Sequence, residues 1–198
     1  MQPDWGSSGR ARPSSRVVIL NGPAGVGKST TARALADTVA NGACIHGDDL
    51  RDFIVARQDG AVSTGLGYRN GASLAQNFVN AGYELVVFEY VFETARGIEE
   101  FRQAYQSSVP AHFFTLWAPL EVVLKREASW TRRQQRQPLG ERVEACYRRM
   151  QANLGALGPV VPTGESQVSE VVADLLCRCD RREGMLPPAA TESIALAS

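Results

Sequence analysis

Eight consecutive residues, Gly22-Pro23-Ala24-Gly25-Val26-Gly27-Lys28-Ser29, followed by Thr30, satisfy the pattern G-x-x-x-x-G-K-[ST] at every fixed position. The chemistry this pattern serves is the holding of a polyphosphate. Glycines let the chain curl around an anion with its N–H groups inward, in backbone conformations that a Cβ would obstruct. A helix starting near Lys28 would aim its positive end at the same anion. Lys28 then supplies a point charge between the β- and γ-phosphates of a nucleoside triphosphate, ATP or GTP, and the Ser29 hydroxyl is placed to ligate Mg²⁺. The candidate nucleotide-binding residues are therefore Gly22, Ala24, Gly25, Val26, Gly27, Lys28, Ser29 and Thr30. A dinucleotide site is excluded, because G-x-G-x-x-G does not occur.

Carboxylates come next. The apolar run ACIHG at 43–47 is followed by Asp48-Asp49-Leu50-Arg51. In a doubly wound sheet the ligand crevice lies beyond the carboxyl ends of the strands, which brings Asp48 and Asp49 near the γ-phosphate. Asp48 can accept the proton of an attacking hydroxyl and help hold Mg²⁺; Asp49 is its alternate and also suits the cap of the next helix; Arg51 can clamp a substrate anion. Glu89 ends the run ELVVFE, where it can bind Mg²⁺ through water, orient a nucleophile or recognise substrate, and it too is an alternate base. Glu93 reads as a cap for the following helix. Tyr90, Phe92 and Trp117 read as core, and His46 as a packed strand residue. Cys44, Cys146, Cys177 and Cys179 form no Cys-x-x-Cys pair, and with two histidines far apart no zinc cluster is expected.

Positive charge is concentrated between Lys125 and Arg149, where eight cations meet only Glu127, Glu141 and Glu144. Within it, residues 130–140 read as a helix, a Pro138–Gly140 break and a second helix, a hinged flap. Arg132, Arg133 and Arg136 share neighbouring turns, and their planar guanidinium groups suit bidentate contact with phosphate oxygens.

These groups need a scaffold. A chain of 198 residues with 44% hydrophobic and 21% charged residues is long enough for one compact domain and is neither disordered throughout nor a disulfide miniprotein. Twenty-one basic against 21 acidic residues leave no net charge, so no nucleic-acid partner is expected. No apolar segment is long enough to span a membrane and the start lacks a signal peptide, so the expected setting is cytoplasmic with reduced thiols. Short apolar runs at 16–20, 43–47, 84–90, 109–117 and 159–163 alternate with amphipathic stretches at 29–40, 72–81, 96–106, 120–136, 140–157 and 166–179. That alternation predicts an α/β fold with five parallel strands. Residues 1–15 and 181–198 read as flexible arms around a domain at 16–180, and Gln58–Gly71 as a glycine-rich loop.

The phosphate loop together with Gly47-Asp48-Asp49-Leu50-Arg51 resembles the small-molecule kinases of the P-loop superfamily: chloramphenicol phosphotransferase, gluconate and shikimate kinases, adenylylsulfate kinase and the zeta toxins. The resemblance covers roughly residues 16–180. It implies a sheet in the order 2-3-1-4-5 with helices on both faces, a helical lid at about 125–149 carrying Arg132, Arg133 and Arg136, Asp48 as the catalytic carboxylate, and an acceptor-binding segment around Tyr68, Arg69 and Asn70. The activity implied is Mg²⁺-dependent transfer of the γ-phosphoryl of ATP or GTP to a hydroxyl of a small molecule, such as an antibiotic or nucleoside natural product, by a monomer or weak dimer. A metabolic kinase for a sugar acid, nucleoside or nucleotide, and a nucleotide-binding switch or toxin-like module, are the alternatives. A GTPase switch would carry an N-K-x-D motif, and the sequence has none.

Overall fold

A strand buried on both faces has no polar side to show, and RVVILN reads accordingly as an unbroken apolar run closed by Asn21. The computed structural model describes residues 15–55, 64–133 and 139–187. In it this run is β1 (Arg16–Asn21), followed by β2 (Gly42–His46), β3 (Leu85–Glu89), β4 (Ala111–Trp117) and β5 (Val160–Pro162). The five strands form one parallel sheet in the order β2-β3-β1-β4-β5, as expected.

Among the described residues seven helices connect or follow them: α1 (Lys28–Ala36), α2 (Asp49–Asp52), α3 (Thr64–Asn80), α4 (Ala95–Ala104), α5 (Leu120–Arg133), α6 (Glu141–Asn153), which runs into a 3-10 turn (Leu154–Ala156), and α7 (Val168–Asp180). Alternation along β1 sorts the two cores. Val18 and Leu20 pack with Leu35 of α1, Val123 of α5, Tyr147 of α6 and Leu175 of α7. Val17 and Ile19 face the other way, toward Ala72 and Ala75 of α3 and Phe101 of α4. The sheet is thus covered on both sides, and its site can open only at the strand ends.

Two expectations are corrected. The glycine-rich stretch read as a loop through Gly71 is helical from Thr64 onward. Its glycines serve close approach rather than turning: a Cβ on Gly71 would lie 2.2 Å from the Phe88 ring, and one on Gly67 2.8 Å from the Tyr90 ring. A helix that must lie flush on aromatic rings gives up side chains there, at a propensity cost of about 1 kcal/mol per glycine. The second correction concerns the C-terminal arm, whose residues 181–187 pack on the domain. Phe113 N–H donates to Gly184 O (2.8 Å) and Leu186 N–H to Ala111 O (2.8 Å), covering the part of β4 that the short β5 leaves unpaired. Residues 1–14 and 188–198 lie outside the described residues.

Gly71→Ala should therefore destabilise the protein by about 1–3 kcal/mol through overpacking against Phe88, seen as a lower urea midpoint at unchanged slope. Gly155→Ala, where an added Cβ meets nothing within 4 Å, should stay within about 0.5 kcal/mol of the parent. Equal stability of the two variants would show that α3 does not sit against β3 as described.

Candidate active site

Lys28 and Ser29 open α1 at the carboxyl end of β1, and three glycines of positive φ shape the turn that delivers them: Gly22 (145°), Gly25 (83°) and Gly27 (106°). Gly25 is also sterically obligatory, because a Cβ there would stand 2.4 Å from Val123 O of α5. The loop is braced from behind. Val26 O accepts the Thr163 hydroxyl (3.0 Å), and the Arg126 guanidinium binds Thr163 O (2.9 Å) and Gly164 O (3.0 Å) while reaching Val26 O at 3.5 Å. At the front, the helix has no acidic residue in its first turn and no side-chain cap. Its first amides therefore want an anion. Lys28 Nζ bends back onto Pro23 O (3.2 Å), which holds its charge over the loop.

The register of the sheet sets the next contact. Glu89 stands beside Leu20 on one side and His46 on the other, all at the strand ends. Glu89 is 5% exposed, and its Oε1 accepts the Ser29 hydroxyl (3.0 Å) and faces His46 Nδ1 (3.0 Å). His46 Nε2 lies 3.1 Å from Arg33 Nη2. A guanidinium can only donate, so these partners assign the neutral ring with Nδ1–H toward Glu89. The bond to the Glu89 carboxylate nonetheless raises the His46 pKa above its ordinary 6.5, against opposition from burial and from Arg33. Protonation would trade the Arg33 hydrogen bond for a stronger one to Glu89.

Asp48 lies elsewhere. Its side chain is 78% exposed at the mouth of the crevice and has Arg51 Nη1 at 3.9 Å rather than Ser29 or Lys28. Asp48, not Asp49, occupies the cap position of α2, and makes no side-chain cap bond; Asp49 is exposed. Glu93 does not cap α4, whose cap residue is Thr94. It forms a two-pronged pair with Arg149 of α6, Nη2 to Oε1 being 3.0 Å.

Tyr68 is corrected from acceptor contact to core: it is 6% exposed, stacks on Phe92 with centroids 4.5 Å apart and donates to Val91 O (3.2 Å). Tyr90 and Phe92 are buried, and Trp117 packs on Tyr147, in line with the core reading. Arg69 and Asn70 lie on α3, with Arg69 exposed. Arg132 and Arg133 form the end of α5, and Arg136 lies outside the described residues.

Residue spacing missed several participants. Arg33 sits four positions after Ser29 on one helix face, a signal that was present. Asn21 had none. It is fully buried, donates to Phe92 O (3.1 Å) and Thr115 Oγ1 (3.0 Å), and accepts from Phe92 N–H (2.8 Å). These bonds fix the segment after β3 to the entry of the phosphate loop.

Hard oxygen donors, the Ser29 hydroxyl and the Glu89 carboxylate, fit a Mg²⁺ ion that keeps several waters. Among the described residues no three His, Cys, Asp or Glu side chains cluster to hold a metal alone, so such an ion would rely on the phosphates of a nucleotide. Behind the loop, Val122, Lys125, Arg126, Ser129 and Gly164 line a cavity of about 410 Å³.

The model of a family described as an AAA domain matches residues 17–157. No curated protein matches the chain. Among solved structures, the tunicamycin resistance protein of Deinococcus radiodurans aligns over 88% of this chain and 99% of its own, with TM-score 0.59 and 19% identity. A gluconokinase from Sinorhizobium meliloti 1021 aligns over 88% and 95%, with TM-score 0.53 and 18% identity. The shikimate kinase of Acinetobacter baumannii, in complex with shikimate, aligns over 87% and 97%, with TM-score 0.54 and 18% identity. These similarities show the fold.

The hydrogen bond between His46 and Glu89 can be read directly by NMR. His46 should titrate above 6.5 and His112, whose pKa burial lowers, below it. The stabilisation from His46 is full below pH 6.5 and fades as pH rises through its native pKa; that from His112 runs the other way, fading as pH falls below 6.5. In Glu89→Gln the higher titration should drop toward the ordinary value. A His46 titration indifferent to that substitution would dissolve the Ser29–Glu89–His46 arrangement.

Proposed function

The chain belongs to the AAA domain family, and from that premise we propose that it is a Mg²⁺-dependent phosphotransferase moving the γ-phosphoryl of ATP or GTP to a hydroxyl of a small molecule. The observation that carries this is the junction of Lys28 and Ser29 with the buried Glu89 carboxylate at the open end of the sheet. It supplies amides, an ammonium group and metal-compatible oxygens on one side of a crevice whose other side is left for an acceptor.

The roles divide by position. The amides from Gly22 to Thr30, with Lys28, hold the phosphates, and the cavity beside Arg126 takes the nucleoside end. Ser29 and Glu89 would hold Mg²⁺. When bound, the ion draws charge from the phosphate oxygens and lowers the cost of transfer. Glu89 already serves Ser29 and His46, whereas Asp48 faces solvent at the acceptor side. That difference favours Asp48 over Glu89 as the group that takes the proton of the attacking hydroxyl, and Asp48 can also approach the metal. Arg132, Arg133 and Arg136 keep the role given by the resemblance, a flap whose guanidinium groups would meet the charge-rich transition state. Asp49, Arg51 and Arg69 are left as acceptor contacts.

Several solved structures of this fold are named as kinases of small molecules and one as a tunicamycin resistance protein. We favour a hydroxylated antibiotic or nucleoside natural product as acceptor, with self-resistance as the use. Incubating the protein with ATP or GTP and a panel of such compounds and of sugar acids, and weighing the products, should reveal a phosphate gain on one class.

Two substitutions test the roles. Lys28→Ala should abolish transfer and weaken nucleotide binding. Asp48→Asn should lower kcat by roughly 10²- to 10⁴-fold with nucleotide affinity near normal. Full activity of Asp48→Asn would move the base to Asp49 or Glu89.

A further inference from the structure

Beyond β3, a carboxylate and a guanidinium are joined by two hydrogen bonds. Glu93 follows β3 by four residues and is anchored to the phosphate-loop entry, since Phe92 N–H and O both bind Asn21. Across from it, α6 presents Arg149 with both prongs on the Glu93 carboxylate. The Glu93–Arg149 pair therefore follows directly on the residue that is bonded to the phosphate-loop entry. Arg51 has Asp48 at 3.9 Å, whereas Arg69 is exposed on α3 and Glu100 pairs with Arg96 (3.1 Å).

We propose that Glu93 is a specificity-determining residue: by occupying Arg149 it withholds one cation from an anionic acceptor, so that the chain favours acceptors whose reacting portion is an uncharged polyol. The inference deepens the phosphotransferase reading and rests on it. An acidic acceptor would have to displace Glu93 from a bidentate, charge-assisted pair and leave that carboxylate beside its own. A neutral polyol meets the same pair as a source of fixed donors and acceptors, and needs no free charge. Discrimination of this kind comes from the unfavourable term against the wrong ligand. Glu93 acts through Arg149 and is a positioning residue, not a catalytic one.

The test uses the full chain saturated with Mg²⁺ and a non-hydrolysable ATP analogue, so that the phosphate loop is filled, and titrates inorganic sulfate by calorimetry at low salt. Glu93→Gln should bind sulfate about tenfold more tightly than the parent, as expected when one strong charge-assisted contact becomes available. Glu93→Asp should behave as the parent, and adding Arg149→Gln to Glu93→Gln should erase the gain. Thermal unfolding of each variant guards against a folding defect. Unchanged sulfate affinity in Glu93→Gln, or a parent that already binds sulfate as tightly, overturns the masking of Arg149. A second arm offers matched pairs, shikimate with methyl shikimate and gluconate with gluconamide. Phosphate gain on the neutral member alone supports the inference, and gain on the acid alone overturns it. Absence of any phosphate gain on these pairs and on the whole panel of antibiotics, nucleosides and sugar acids counts against the phosphotransferase reading, whereas the sulfate titration decides the charge masking by itself.

Discussion

Helix α1 begins with amides that no side chain caps, next to a lysine whose ammonium group bends back onto Pro23 O of its own loop, and this concentration of positive potential is the constraint around which the molecule is arranged. Everything that touches the loop keeps its amides aimed at one place. Val123 O excludes a side chain at Gly25, Thr163 and Arg126 hold Val26 O from behind, and Asn21 stitches the loop entry to the chain beyond β3. The cost of bending the chain through three positive-φ glycines is offset by packing from α5, from β1 and from the segments that follow β3 and β5. The anion site is a property of the whole sheet and not of eight residues alone.

The second consequence is the division of carboxylates. Glu89 is buried and answers Ser29 and His46; Glu93 answers Arg149; Asp48 and Asp49 face water. Groups of one chemical type are thus given three environments by strand register and by the loop anchored on Asn21. Burial and a cationic or hydroxyl partner suit Glu89 to charge stabilisation. Solvent access and proximity to the acceptor side suit Asp48 to proton transfer, and pairing suits Glu93 to screening.

Much of the fold was legible because hydrophobic runs of strand length, alternating with helical ones, leave few topologies, and the phosphate loop marks the first crossover. The strand order followed from the resemblance, and the parallel sheet confirms it. The start of α3 was misread because glycines signal turns locally, whereas here they yield to Phe88 and Tyr90, which only the assembled sheet brings opposite them. In the candidate site, the position of Lys28 and Ser29 at the start of α1 was readable from spacing. The partnership of Glu89 with His46 was not, since it depends on register between β2 and β3 across 43 residues. Arg149 was lost among the arginines of its stretch, and only the tertiary packing singles it out.

Backbone amide shifts of the ¹⁵N-labelled protein, followed while ATP and Mg²⁺ are added, test the central claim most directly. Large, saturable movements at Gly25, Gly27, Lys28 and Ser29, with smaller ones along β4 and α7, are what a phosphate-filled loop predicts. Saturating ATP that leaves those four amides where they were, or that moves a different part of the molecule instead, would contradict it.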